Sequence, residues 1–263
     1  MIFVLILAGQ YLWLPADDSS QAIITRIAVP EGYERESPKR CTFGHWLQRL
    51  PLKEGRPPVY LYNGNKKTNQ DLHFAVVDLD VGDEDLQQCA DAIIRLRAEY
   101  LYYRKLLDSV RFTITSGDTI HFRRWIKGYR PEVFGNKVAW VKRAESDSSY
   151  QTFQDYLNFI FTYAGTYSLS KGLKKVEALS NIRIGDIFIQ GGFPGHAVIV
   201  VDMAIDGDGN KIVLIAQSFM PAQDLHILKN LNDSKLNPWY EVGAGDRLQT
   251  PEWIFDWGDL RRF

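Results

Sequence analysis

The stretch that most constrains this chain is Gly185-Asp-Ile-Phe-Ile-Gln-Gly-Gly-Phe-Pro-Gly-His196-Ala-Val-Ile-Val-Val-Asp202. Ile184, Ile187 and Ile189 form a first apolar run, and Ala197 to Val201 is apolar at every position, as in a buried strand. Between the two, Gly191, Gly192, Pro194 and Gly195 supply turn chemistry. His196 stands where the turn feeds the second strand. A histidine there is held by a rigid ladder yet faces a loop cavity, which suits a general base. The same position also suits a histidine that only satisfies a hydrogen bond at a strand end.

A chain of 263 residues, 45% hydrophobic, can build one large domain or one domain with an added lobe. Its net charge of -1 gives no overall field toward nucleic acid or an anionic membrane, so neither is an expected partner. The 7 Trp, 13 Tyr and 14 Phe can furnish a core and still leave aromatic surface for a groove. Five scattered histidines make no zinc spacing, and neither a phosphate-cradling loop nor a dinucleotide fingerprint is present, so no metal or cofactor is expected. Asp206-Gly-Asp-Gly-Asn210 lacks the later glutamate of a calcium loop and reads as a hairpin turn.

Residues 1–18 begin with the apolar run Met1–Gly9, which is too short to span a bilayer. The run resembles the hydrophobic part of a secretory signal, without the usual basic residues before it or a small-x-small cleavage site after it. Export to the periplasm or cell surface is the expectation, and a cytoplasmic protein if the run is not a signal. Residues 19–263 then form a single α+β domain.

Within that domain, Ile23–Val29, Val59–Tyr62 and His73–Leu79 read as strands. Residues 33–58 read as loop, interrupted by a short helix capped by Thr42. The clearest helix spans Asp83–Arg104, with Asp83 or Asp85 as its cap and Leu86, Cys89, Ala90, Ile93, Leu96 and Tyr100 on one face. Cys89 then lies about a turn inside it, pointing inward. The helix dipole there favours a thiolate and the nearby acidic residues oppose it. A buried cysteine acting as a small core hydrophobe is the commoner use of the residue. Cys41 also precedes a helix and is a rival nucleophile; in an exported protein the two cysteines could instead form a disulfide.

Residues 119–149 are basic and aromatic, the pattern of a sugar or polyanion surface or of a solvated lobe. Helices follow over Tyr150–Gly165 and Ser168–Leu179. Lys211–Ser218 reads as the strand after the Asp-Gly hairpin, which brings Gln217 beside the start of the His196 strand. His226–Leu228 reads as a last strand. The aromatic tail (Pro238-Trp-Tyr240, then Pro251 to Trp257) is expected to close the domain.

A helix bearing Cys89, then Gly185-Asp186, Gly195-His196 and a strand carrying Gln217, is similar to the papain-like superfamily, especially its bacterial cell-wall amidase and endopeptidase branch. The resemblance covers roughly residues 83–228, with 119–149 as an insertion. It implies a papain-like α+β fold, with a helix bearing cysteine near its start packed on an antiparallel sheet. It implies Cys89 as nucleophile, His196 as base and Gln217 as orienting group, with Gln88, Gly195, Ser218 and His226 as substrate contacts. The substrate implied is an amide in a cell-wall peptide or similar molecule. The alternative is a non-catalytic peptide- or glycan-binding envelope domain on the same fold.

The chain also resembles an uncharacterised family of exported bacterial proteins, found largely in Bacteroidetes and known as a domain of unknown function. Trp46-Leu-Gln-Arg-Leu-Pro-Leu52, Asp85-Leu-Gln-Gln-Cys-Ala-Asp91, Tyr163-Ala-Gly-Thr166, Pro194-Gly-His-Ala197 and Ala216-Gln-Ser-Phe-Met-Pro-Ala-Gln223 carry that likeness. It implies export and one α+β domain, and assigns no activity.

Overall fold

The computed structural model describes residues 10–16 and 18–263. The chain is a mixed α+β protein built on a nine-stranded antiparallel sheet. The order across it is His73–Val76, His226–Leu228, Lys211–Gln217, His196–Asp206, Ile187–Gln190, Leu260–Arg262 and Lys174–Lys175. Tyr33–Arg35 pairs with the far end of the histidine strand, and Tyr240–Glu241 pairs with Lys211–Gln217. The expected hairpin is present: Lys211 faces Ile205 and Ala216 faces Ile199, with a bulge between Leu214 and Ile215. Asp206 closes its turn by accepting hydrogen bonds from the amides of Asp208 and Asn210.

The unbroken apolar run now has its reason. Ala197, Ile199 and Val201 face a layer containing the cysteine helix (Cys89–Tyr103), while Val198 and Val200 pack against Phe188, Leu248 and Phe255. A strand covered on both faces has no use for alternation. Each such Val or Ile contributes about 1.5–3 kcal/mol on leaving water.

Several elements differ from expectation. Ile23–Arg26 is a turn of helix, because burying both Ile23 and Ile27 on one side needs the i, i+4 spacing. Val59–Tyr62 makes only isolated bridges, Tyr60 to Lys66 and Leu61 to Gln223. The short helix is Phe43–Leu47, capped by Thr42 as expected. The long helix starts at Cys89 rather than Asp83. Asp85 does not cap it; its carboxylate instead accepts from the backbone of Ala222 at 2.6 Å and pins the 218–223 loop. Asp91, three residues beyond the actual cap Gln88, accepts from the Gln88 amide at 3.2 Å. The helix near Ser168 is Thr166–Gly172, shorter than expected.

The basic-aromatic segment is partly core. Phe122 and Trp125 are buried against Phe153 and Tyr156, and the hairpin Tyr129–Phe134/Lys137–Lys142 follows. Arg124 stacks 4.6 Å from Trp140 and Arg130 4.2 Å from Trp125, so much of its charge is spent on its own rings. At the N-terminus, Tyr11 is buried against Trp46 and its hydroxyl donates to the Trp46 carbonyl at 2.8 Å. Residues 10–14 therefore pack on the domain, which begins before residue 19. The signal-like run Met1–Gly9 lies outside the described residues.

Gly195 holds the turn in place. A Cβ there would meet Thr166 Oγ1 at 2.3 Å and the carbonyl oxygens of Gly192 and Gln190 at 2.6 and 2.8 Å. Gly195→Ala is expected to cost about 1–3 kcal/mol by overpacking, whereas Gly207→Ala, which meets nothing within 4 Å, should be near neutral. Thermal or urea unfolding of the two variants checks this.

Candidate functional site

The site is built where the start of the cysteine helix meets the start of the histidine strand. Cys89 is the first residue of its helix, a turn nearer the N-terminus than the sequence pattern implied. Cys89 and Gly195 line the same cleft, which places the thiol near the start of the histidine strand, and the backbone N–H of Ala197, the residue after His196, is among the groups that favour its thiolate. Cys89 lines a cleft of about 390 Å³, together with Gln88, Asp91, Thr166 and Gly195. Phe193, Met220 and Tyr167 are exposed around it and give it an apolar rim.

The imidazole of His196 is only 1% exposed, so it does not open to a loop cavity as expected. It lies beneath Phe219, Trp253 and Phe255, with ring centroids 4.7, 5.3 and 5.9 Å away. The aromatic tail thus closes the domain directly over the histidine. Its Nε2 is 2.9 Å from Gln217 Oε1. The orientation of that amide follows from the other end: Gln217 Nε2 donates to the Glu252 carboxylate at 2.6 Å, and a carboxylate ion-paired with Lys67 at 2.5 Å can only accept. Oε1 must then face His196, Nε2 of the ring must carry the proton, and Nδ1 keeps its lone pair. In this tautomer the second ring nitrogen can take a proton.

Of the expected substrate contacts, Gln88 and Gly195 line the cleft. Ser218 and His226 do not, and both are corrections. The Ser218 hydroxyl is fully buried and donates to the Gln223 carbonyl at 2.8 Å, a clasp on the loop. His226 lies behind Gln217: its Nδ1 donates to the Asp224 carbonyl at 2.8 Å, which leaves Nε2 to accept weakly from Gln217 at 3.5 Å. Cys41 is exposed, and both cysteines are free, which removes the disulfide alternative.

Glu252 and Lys67 escaped the sequence reading. They come from segments far apart in the chain, and neither carries a motif; a lone acid inside the aromatic tail was the one available signal. Asp91 was read only as a helix residue, yet one carboxyl oxygen is buried without a partner beside Cys89. Burial holds its carboxyl well above the usual carboxylate range.

Burial governs the electrostatics of the pair. It pushes the Cys89 thiol up to about 11, with the neighbouring Asp91 adding to the effect and the backbone amides of Ala197 and Ala90 opposing it. It pushes His196 down to about 4, against the pull of the Gln217 hydrogen bond, and the nearby Lys67 charge adds to the depression. Both groups are therefore neutral at pH 7. Among the described residues no group of three or more His, Cys, Asp or Glu could hold a metal ion, and no helix is long and apolar enough to cross a membrane.

Fold and site together define an α+β domain with a cysteine in a cleft and a buried histidine–glutamine pair at the start of the neighbouring strand. The model of the family described as domain of unknown function (4846) matches residues 23–262, and the chain belongs to that family. Comparison with curated proteins and with solved structures finds no match.

The buried histidines set an acid limit on stability. Unfolded histidine titrates near 6.5, whereas His196 and His226 are lowered to about 4 and about 3. Their neutral burial is fully compatible with the fold above pH 6.5. As pH falls toward 4 the unfolded chain takes up protons that the folded chain refuses, and stability is lost, on the order of 3 kcal/mol per histidine. Glu99 and Asp202, raised by burial to about 7 and about 6, bind protons more tightly when folded and oppose this trend. His226→Gln is therefore expected to lower stability at pH 7 but to flatten the fall between pH 6.5 and 4 by up to about one proton's worth of slope, read from urea melts at each pH.

Proposed function

We propose that this protein is a cysteine hydrolase of papain-like layout that cleaves an amide bond in a cell-wall peptide or similar substrate. The observation that carries the reading is Cys89 at the start of its helix, sharing a cleft with Gly195 beside the start of the histidine strand, with Gln217 bonded to Nε2 of the His196 imidazole. In this reading His196 Nδ1 takes the Cys89 proton as the sulfur attacks the amide carbon, then delivers it to the leaving amine. Water next attacks the thioester with the same imidazole as base. Gln217, itself oriented by Glu252, keeps the ring in the required tautomer. The cleft with its rim of Phe193, Tyr167 and Met220 offers apolar contact to the substrate on either side of the scissile bond. Export to the cell envelope fits such a substrate.

A second reading has an observation of its own. The neutral, largely buried thiol suits a domain that binds peptide or glycan through the same rim without cleaving it, with Cys89 acting as core.

Muropeptide digestion followed by mass spectrometry separates the two. Catalysis predicts release of a cleaved product, lost by at least about 100-fold in Cys89→Ala and in His196→Ala. Glu252→Gln is expected to lower the rate less, since it frees the Gln217 amide without removing a reacting group. Binding without turnover in wild type, unchanged by Cys89→Ala, would support the second reading. The resting thiol gives an independent check. Iodoacetamide labelling of Cys89 should be slow at pH 7 and keep accelerating toward pH 11. A plateau already reached below pH 7 would mean a preformed thiolate.

A further inference from the structure

A second cleft, of about 380 Å³, lies where the short helix Phe43–Leu47, the cysteine helix and the Arg183–Asp186 turn come together; it shares no lining residue with the cysteine cleft. Arg97 projects into it from the cysteine helix. Its guanidinium is held 5.1, 5.5 and 5.3 Å from the ring centroids of Phe43, Tyr100 and Phe263. Several half-buried or buried cations of the chain have a carboxylate: Arg35 has Asp202, Arg95 has Asp80 and Glu99, Lys67 has Glu252, and Arg262 has Asp186. Others, such as Arg49 and Arg130, donate to backbone carbonyls instead. Among the described residues Arg97 has neither a carboxylate nor a hydrogen-bonded carbonyl; burial pushes its pKa down, with only the Tyr100 hydroxyl opposing.

The rest of the cleft has the same sign. Arg183 and Lys39 are exposed on its wall, and neither is ion-paired among the described residues. Two side-chain carboxyl groups line it. Asp186 is consumed by Arg262, at 2.6 and 2.7 Å. Glu36 is raised by burial, against the pull of Lys211 and Arg183, and has one buried oxygen without a partner. A desolvated guanidinium fixed by aromatic faces, with its N–H groups unspent, is matched by an oxyanion that takes two parallel hydrogen bonds.

We propose that this cleft binds a small oxyanion, a carboxylate or phosphate group, with Arg97 as the central contact and Arg183 and Lys39 at its mouth. The site is independent of the cysteine chemistry and stands whether or not Cys89 is a nucleophile.

Isothermal titration of the full chain with inorganic phosphate and, separately, with succinate at constant ionic strength tests it. Saturable binding of at least one probe is expected. Phosphate alone would identify a phosphate group as the ligand chemistry, and succinate alone a carboxylate. Arg97→Met, which keeps an apolar chain among the three rings, should weaken binding at least tenfold. The double charge reversal Arg183→Glu with Lys39→Glu leaves the aromatic box untouched and should weaken it several-fold, and it decides the matter if Arg97→Met does not fold. Absence of saturable binding by either probe, or equal binding by wild type and the charge-reversed variant, would overturn the proposal.

Discussion

The pairing of His196–Asp206 with Lys211–Gln217 is the constraint on which the remaining architecture depends. It lies at the middle of the sheet and is covered on both faces, so its backbone groups have no access to water and must be met within the ladder. The bulge between Leu214 and Ile215 shifts the register along this pair. The same ladder delivers Gln217 beside His196 and His226 beside Gln217. A single slip of register would turn the imidazole to the other face and break both contacts. The site's geometry is thus inherited from a buried backbone ladder at the middle of the sheet.

Around that ladder the chain places an unusual amount of polar chemistry out of water. His196, Gln217, Glu252, Lys67 and His226 form one connected group, and each hydrogen bond fixes the next amide or ring in a single orientation. Such a network costs about 1–3 kcal/mol for each member left unsatisfied, so it tolerates one arrangement only. Lys67 also sets the charge of the neighbourhood. Its ammonium faces Glu252 and lies 5.5 Å from the Phe219 ring that covers His196, and its charge discourages protonation of both histidines. A lysine distant in sequence thereby adds to burial, the larger cause, in keeping the imidazole in the form that can accept a proton.

How much of this was legible beforehand differs from residue to residue. The strand pair, the Asp-Gly hairpin and the neighbourhood of Gln217 and His196 follow from unbroken apolar runs, turn residues and hairpin length, all of them local signals. The start of the cysteine helix was not legible. Asp85 with Gln88 imitates a capping box, and only the distant amide of Ala222 explains why Asp85 points elsewhere. Ile23–Arg26 was read as a strand because isoleucine and threonine favour one, yet the core at that point required two side chains on the same side of a single turn. Glu252 and Ser218 show the same limit. What each side chain does is decided by groups that meet it only after folding, and neither periodicity nor spacing encodes such meetings.

The electrostatics of the cysteine–histidine pair bear on mechanism. A thiol near 11 beside an imidazole near 4 is separated from the thiolate–imidazolium form by about seven pKa units, on the order of 10 kcal/mol. The neutral pair therefore wins at rest by a clear margin, and for the hydrolase reading the proton must move as the sulfur attacks rather than beforehand. Substrate entering the cleft would change these terms most through the amide dipoles and donors it brings to the sulfur. In that reading Cys89 stays unreactive toward small electrophiles until the cleft is filled, and the same burial that lowers its idle reactivity would make turnover dependent on a substrate large enough to cover the rim.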